Sequence, residues 1–214
     1  MKIDPISILL NQNFEINKKF YFISGNETTL IEKINTQIFE IFKKKEVITL
    51  TRIESIAEYL GEVGLFEDKK IFLVKNCKGL NEKSINNIRQ SNDVFIFSEE
   101  NSQKIKKIKN IFAKDKDSYL IDCYELDKNS KAKILNNFLK LSEISLDKEI
   151  YWILLEKLDN KYGLLENSLN KILELDKKDI NIVNIKKLLS INDTGKERVF
   201  FNLLKKNRDI VESY

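Results

Sequence analysis

Gly25-Asn26-Glu27-Thr28-Thr29-Leu30, directly behind the apolar run Phe20-Tyr21-Phe22-Ile23, is where a strand, a turn and a helix N-terminus could cradle a phosphate. That chemistry needs a glycine-rich turn, then a lysine to reach the phosphates and a Ser or Thr hydroxyl for magnesium. Here only the first glycine is present, the lysine is missing, and Glu27 sets a negative charge where phosphate would sit. The reading preferred on these residues is a plain strand-to-helix turn, with Asn26 or Thr28 near the helix cap. Nucleotide hydrolysis would also require an acidic pair after the apolar run Ile71-Phe72-Leu73-Val74, and Lys75-Asn76-Cys77 stands there instead.

The absence of histidine removes the commonest general base, the commonest zinc ligand and the Ser-His and Cys-His nucleophile pairs together. Carboxylate acid/base chemistry stays open, but 33 Asp and Glu bring close pairs together by chance on solvated helix faces, and no pair stands out. Cys77 and Cys123 lack CxxC spacing and read as free thiols. No catalytic residue, cofactor-binding residue or metal ligand is nominated.

Contact chemistry is the stronger signal. Leu65 and Phe66 stand between Gly64 and the charged run Glu67-Asp68-Lys69-Lys70, flanks that favour water and break a helix. A large apolar pair displayed on a polar background marks a protein–protein contact. The competing reading packs both side chains beneath the strand that follows.

Elements able to position these residues alternate along the first half. Apolar runs at 20–23, 47–50, 71–74, 94–97 and 118–121 read as strands. Between them, Leu30, Ile31, Ile34, Ile38, Ile41 and Phe42 form one helical stripe, Ile53, Ile56, Ala57 and Leu60 a second, Ile85 and Ile88 a third capped by Asn81, and Ile105, Ile108, Ile111 and Phe112 a fourth. The expected fold is α/β: a five-stranded parallel sheet with flanking helices over residues 1–123, in the manner of a degenerate P-loop domain.

Beyond Cys123 the strand signal ends. Stripes at 134–141, at 150–158 (including Trp152), at 164–173 and at 182–189 make a small all-α domain over 124–190. Residues 191–214 read as a linker and a last amphipathic helix with Val199, Phe200, Leu203 and Leu204. With 42% hydrophobic residues and a net charge of +4, the chain can bury a real core and need not bind nucleic acid. Lys104, Lys106, Lys107 and Lys109 interleave with Ile105 and Ile108 and read as the solvated face of a helix, the alternative being direct DNA contact in a non-catalytic nucleic-acid-binding or scaffold module. Neither a membrane span nor a signal peptide is recognisable, which points to the cytoplasm.

Four segments in order carry a family resemblance. Lys19-Phe20-Tyr21-Phe22-Ile23-Ser24-Gly25-Asn26-Glu27 resembles the strand and turn, and Val63-Gly64-Leu65-Phe66-Glu67-Asp68-Lys69-Lys70 with its following strand resembles the Leu-Phe segment, of the delta subunit of the bacterial DNA polymerase III clamp loader. Ile121-Asp122-Cys123-Tyr124 is similar to the family's domain junction, and Lys161-Tyr162-Gly163-Leu164-Leu165 with the helix to Leu175 to its lid helix. The resemblance implies an AAA+-like domain that has lost ATP binding, followed by a helical lid. It implies a partner, the sliding clamp, whose surface pocket would take Leu65 and Phe66, and further partners in the other loader subunits, with DNA reached through the assembled complex. It implies no cofactor and no chemistry in this chain, which would serve as a subunit of a DNA-directed DNA polymerase holoenzyme, a nucleotidyltransferase. Family members continue into a helical collar that joins the loader subunits, and 191–214 would correspond to the linker and the start of a truncated one.

Overall fold

A computed structural model describes residues 1–11, 14, 17–41, 47–50, 56, 70–77, 79–100 and 105–189. The chain divides into two compact units, one of Met1–Glu125 and one that begins at Leu126.

The first unit is a parallel sheet with helices on both faces. Its strands are β1 (Lys2–Ile3), β2 (Phe20–Gly25), β3 (Val47–Leu50), β4 (Ile71–Val74), β5 (Val94–Glu100) and β6 (Ser118–Cys123), in the order β1-β6-β2-β5-β4-β3. The helices are α1 (Pro5–Leu10), α2 (Thr28–Ile41), α3 (Glu82–Ile88) and α4 (Ile105–Lys114). The sheet has six strands rather than the expected five. The extra one, β1, pairs Lys2 with Leu120 and Ile3 with Ile121, and a two-residue strand is too short to show any periodicity. Helix α1 was also not foreseen, although Asp4 accepts from the Ile6 N–H at 3.1 Å and Pro5 opens the first turn, an ordinary start signal.

Register explains the core. Phe20 pairs with Phe95 and Phe95 with Phe72, while Phe22 pairs with Phe97 and Phe97 with Val74, so two apolar rows cross one face of the sheet. Phe112 of α4 inserts over them, its ring centroid 4.9 Å from Phe22 and 5.3 Å from Phe97. Ile85 and Ile88 of α3, Ile105 and the buried Ile56 complete this cluster. The other face carries α2, tied to the sheet by a 3.1 Å hydrogen bond from Asn35 Nδ2 to Ser98 Oγ. At the start of α3 the expected cap is present, as Asn81 Oδ1 accepts from the Ser84 N–H at 3.1 Å and Ser84 Oγ from the Asn81 N–H at 2.9 Å.

The second unit contains α5 (Lys128–Ser142), α6 (Lys148–Lys157) and α7 (Tyr162–Leu173), with a further helical segment at 182–189. Asp127 caps α5 by accepting from the Ser130 N–H at 2.7 Å. Leu135, Leu154, Leu165, Ile172 and Ile185 are fully buried. Trp152 departs from the apolar stripe assigned to it and is 56% exposed, because it lies two positions from both Ile150 and Leu154 and so turns away from their face. Lys128 Nζ stands 5.6 Å from the centre of its ring.

Helix α5 ends on Glu143 at φ 52°, the one left-handed non-glycine residue among those described. A side chain there costs roughly 1–2 kcal/mol. Glu143→Gly is expected to stabilise the helical unit by about 1 kcal/mol, after glycine's larger unfolded-state entropy is set against the relief. Urea unfolding followed by circular dichroism measures it, and an unchanged midpoint would contradict it.

Candidate functional site

The β2–α2 turn is built by close approach. The Cβ that any side chain would place on Gly25 falls 1.6 Å from the Cys123 carbonyl oxygen, so only glycine fits where β2 meets β6. Immediately beyond, the Glu27 N–H donates to the same Cys123 carbonyl at 3.2 Å and the turn closes onto the sheet.

Glu27, and neither Asn26 nor Thr28, then caps α2. Its Oε2 accepts from the Leu30 N–H at 2.6 Å, and its two oxygens accept from the Thr29 hydroxyl at 2.9 and 2.7 Å. The residue is buried, 4% exposed. A helix N-terminus attracts an anion because its first N–H groups lack partners and the helix dipole adds partial positive charge. Here a carboxylate from the chain itself already fills that role. A phosphate at this turn would meet a fixed negative charge and no lysine.

Beside the turn, between α2 and the ends of β4 and β5, lies a cleft of about 230 Å³. Thr28, Glu32 and Asn35 line it from α2, Lys75 from the end of β4, and Ser98, Glu99 and Glu100 from β5. Acidic residues outnumber the one lysine among those that line it, the reverse of what a nucleotide phosphate needs. Glu99 is held in place, its Oε2 accepting from the Cys77 N–H at 2.8 Å. The carboxylates of this wall were not singled out from the sequence, since the sheet register and not the sequence brings 98–100 against α2.

Both cysteines are free and buried. Burial pushes the Cys77 thiol far up, with the nearby Glu99 charge adding to the rise, and pushes the Cys123 thiol to about 12 through burial and the Asp122 and Glu27 charges. Neither is poised as a nucleophile.

Leu65 and Phe66 lie outside the described residues, as does Lys104. The frame around 57–69 is described. Ile56 is buried in the core before the segment, and after it Lys70 is pinned by its N–H donating to Asp93 Oδ1 at 3.0 Å and its carbonyl accepting from the Val94 N–H at 3.0 Å.

On α4, Lys106 and Lys107 are exposed as expected, but Lys109 is not merely solvated. Its Nζ donates to Asp122 Oδ1 at 2.7 Å and to the Tyr124 hydroxyl at 3.2 Å, and Lys2 reaches Asp122 from the other side at 3.0 Å. Burial raises the Asp122 carboxyl, yet the two lysines outweigh it and hold the group below its ordinary value. A carboxyl depressed by folding contributes stability that is fully present above its unfolded value, near about 3.9, and is lost as pH falls through the folded value. Asp122→Asn is therefore expected to lower stability at neutral pH and to flatten its decline in acid. Urea midpoints measured from neutrality to about pH 2 test this, and parallel curves for the two proteins would refute it.

No family model matches the chain, and no curated protein sequence matches it. Among solved structures, the chain is similar to the Bacillus subtilis DNA clamp loader delta protein, with 17% identity, a TM-score of 0.52, and 89% of this chain covering 68% of that one. It also aligns with domain III of the Thermotoga maritima replication initiation protein DnaA, at 15% identity and TM-score 0.44, over 86% of this chain and 90% of that one. A third alignment is with the Thermotoga maritima RuvB Holliday junction branch migration motor, at 10% identity and TM-score 0.49, over 89% and 70%. The first of these carries the fold alone: an α/β domain with a parallel sheet flanked by helices.

Proposed function

We propose that this chain is a delta-like subunit of a bacterial clamp loader, which binds a sliding clamp and helps open it for loading onto DNA during replication, without binding ATP itself. The observation that carries the reading is the Glu27 carboxylate seated on the N-terminus of α2, which closes the nucleotide position of a fold similar to a clamp loader delta protein. Residues 1–123 would contact the clamp and 124–190 would form the lid. Leu65 and Phe66 would be the anchor, entering a pocket on the clamp surface. The chain would work in the cytoplasm as a non-catalytic part of the DNA polymerase III holoenzyme, with the other loader subunits as partners and DNA reached through the complex. Anchoring alone does not open a ring. The loader must bind the open clamp better than the closed one, and it can shift the equilibrium only by that difference.

The test is clamp binding by surface plasmon resonance, wild type against Leu65→Ala/Phe66→Ala, alongside a titration with a fluorescent ATP analogue. Clamp binding that needs the pair, with no saturable nucleotide signal, is the expected result. A wild-type chain that ignores the clamp, or that binds the nucleotide saturably, would overturn the reading.

A further inference from the structure

The chain passes from one unit to the other through the few residues that follow β6, and these are tied down from both sides. Cys123, the last residue of β6, is fully buried, and its carbonyl accepts from the Glu27 N–H at 3.2 Å. Tyr124 is 42% exposed, yet its hydroxyl accepts from Lys109 Nζ at 3.2 Å, and the same ammonium stands 5.5 Å from the centre of its ring. Asp122 holds Lys109 in turn at 2.7 Å, so Tyr124 is latched to α4 and β6 of the first unit. Two residues further on, the Leu126 N–H donates at 2.7 Å to the carbonyl of Asn160, in the turn between α6 and α7, and the Leu126 side chain is buried. Asp127 then caps α5, and all of these later groups belong to the second unit.

We propose that Glu125 is the hinge between the two units and that the Lys109–Tyr124 contact is a latch that sets its length. A peptide group is planar, so rotation is available only at φ and ψ, and a residue bonded into a packed unit turns only with that unit. With Tyr124 ending one unit and Leu126 beginning the other, a change in their orientation turns on the torsions of the exposed Glu125 between them. The two pins differ in kind. Leu126 is held by a main-chain bond and by apolar burial, which water does not compete for, whereas Tyr124 is held by a solvent-accessible side chain. Latched, the pivot is Glu125 alone. Released, it extends back to Cys123, where β6 ends in register with Gly25 of β2. The assignment needs no clamp and stands or falls apart from the function proposed above.

The experiment is a distance measurement by pulsed electron paramagnetic resonance on the full chain. Spin labels go on Asn86→Cys in α3 and Asn136→Cys in α5, both exposed positions, with the buried Cys77 and Cys123 left in place. The width of the distance distribution is the readout, and circular dichroism checks that each variant is folded. Glu125→Pro is expected to narrow it, since proline confines φ to about −65 ± 15° and restricts the residue before it. Glu125→Gly should broaden it, by up to about twofold, because glycine takes positive φ as readily as negative. Lys109→Met and Tyr124→Ala undo the latch from either side, so each should broaden the distribution and the pair together no more than one alone. Lys128→Pro, at the first position of α5 where proline is well tolerated, places the same rigid residue just outside the hinge and should leave the width unchanged. A width that neither Glu125 substitution moves, a narrowing by Lys128→Pro equal to that at Glu125, or latch variants that match the wild type would each overturn the proposal.

Discussion

Replacing Leu65 and Phe66 together with alanine is expected to weaken clamp binding by roughly 10²–10⁴-fold while leaving the fold intact. Burying a Leu or a Phe side chain in a preformed pocket is worth about 1.5–3 kcal/mol each, so losing both removes about 3–6 kcal/mol. The flanks favour this outcome, because Glu67, Asp68 and Lys69 follow the pair directly and are rarely buried. The competing arrangement, with both side chains under β4, makes a different prediction from the same protein. Removing two large apolar groups from a core costs about 2–5 kcal/mol each in stability, so the double variant would unfold at much lower urea. Binding and denaturation measured on one preparation therefore separate the readings. Affinity lost at constant stability supports the anchor, and stability lost first assigns the pair to the core.

Gly25→Ala is expected to destabilise the α/β unit by at least about 3 kcal/mol, the upper end of the usual cost of overpacking. The added methyl would lie 1.6 Å from the Cys123 carbonyl oxygen and 2.4 Å from its carbon. Both are backbone atoms where β2 and β6 end side by side, with Gly25 in register with Cys123, so no flexible side chain can yield. β2 and β6 must separate, and with them goes the hydrogen bond that closes the turn from Glu27 to Cys123. Urea unfolding by far-ultraviolet circular dichroism reads the effect, with Asn26→Ala at the exposed neighbour as the control. A loss below about 1 kcal/mol would show that the strands part more easily than their packing implies.

Much of the architecture was legible because each buried strand announces itself as an unbroken apolar run and each helix as a stripe. The 71–74 and 94–97 runs are strands buried on both faces, which is why they read cleanly. What escaped the sequence was whatever depends on a partner far away in the chain. β1 exists only because β6 offers it an edge, and Trp152 has the composition of a core residue but the helical phase of a surface one. At the turn, the charge of Glu27 was readable as hostile to phosphate, but not its fold inward onto the Leu30 N–H, since a glutamate is not among the usual capping residues. The acidic cleft was hidden for the same reason as β1. Its carboxylates come from segments some seventy residues apart, joined by strand register.

The exposed position of Trp152 also governs how this protein can be watched. It is the only tryptophan, it belongs to the helical unit, and it is already half in water beneath Lys128. Its emission will report the helical unit, with a smaller shift on denaturation than a buried tryptophan gives, while the buried Tyr21 and Tyr119, packed edge to face at 5.6 Å, belong to the sheet unit. Fluorescence excited at the tryptophan thus samples one unit and dichroism of the whole chain samples both, and whether their transitions coincide will tell whether the two units melt as one or in succession.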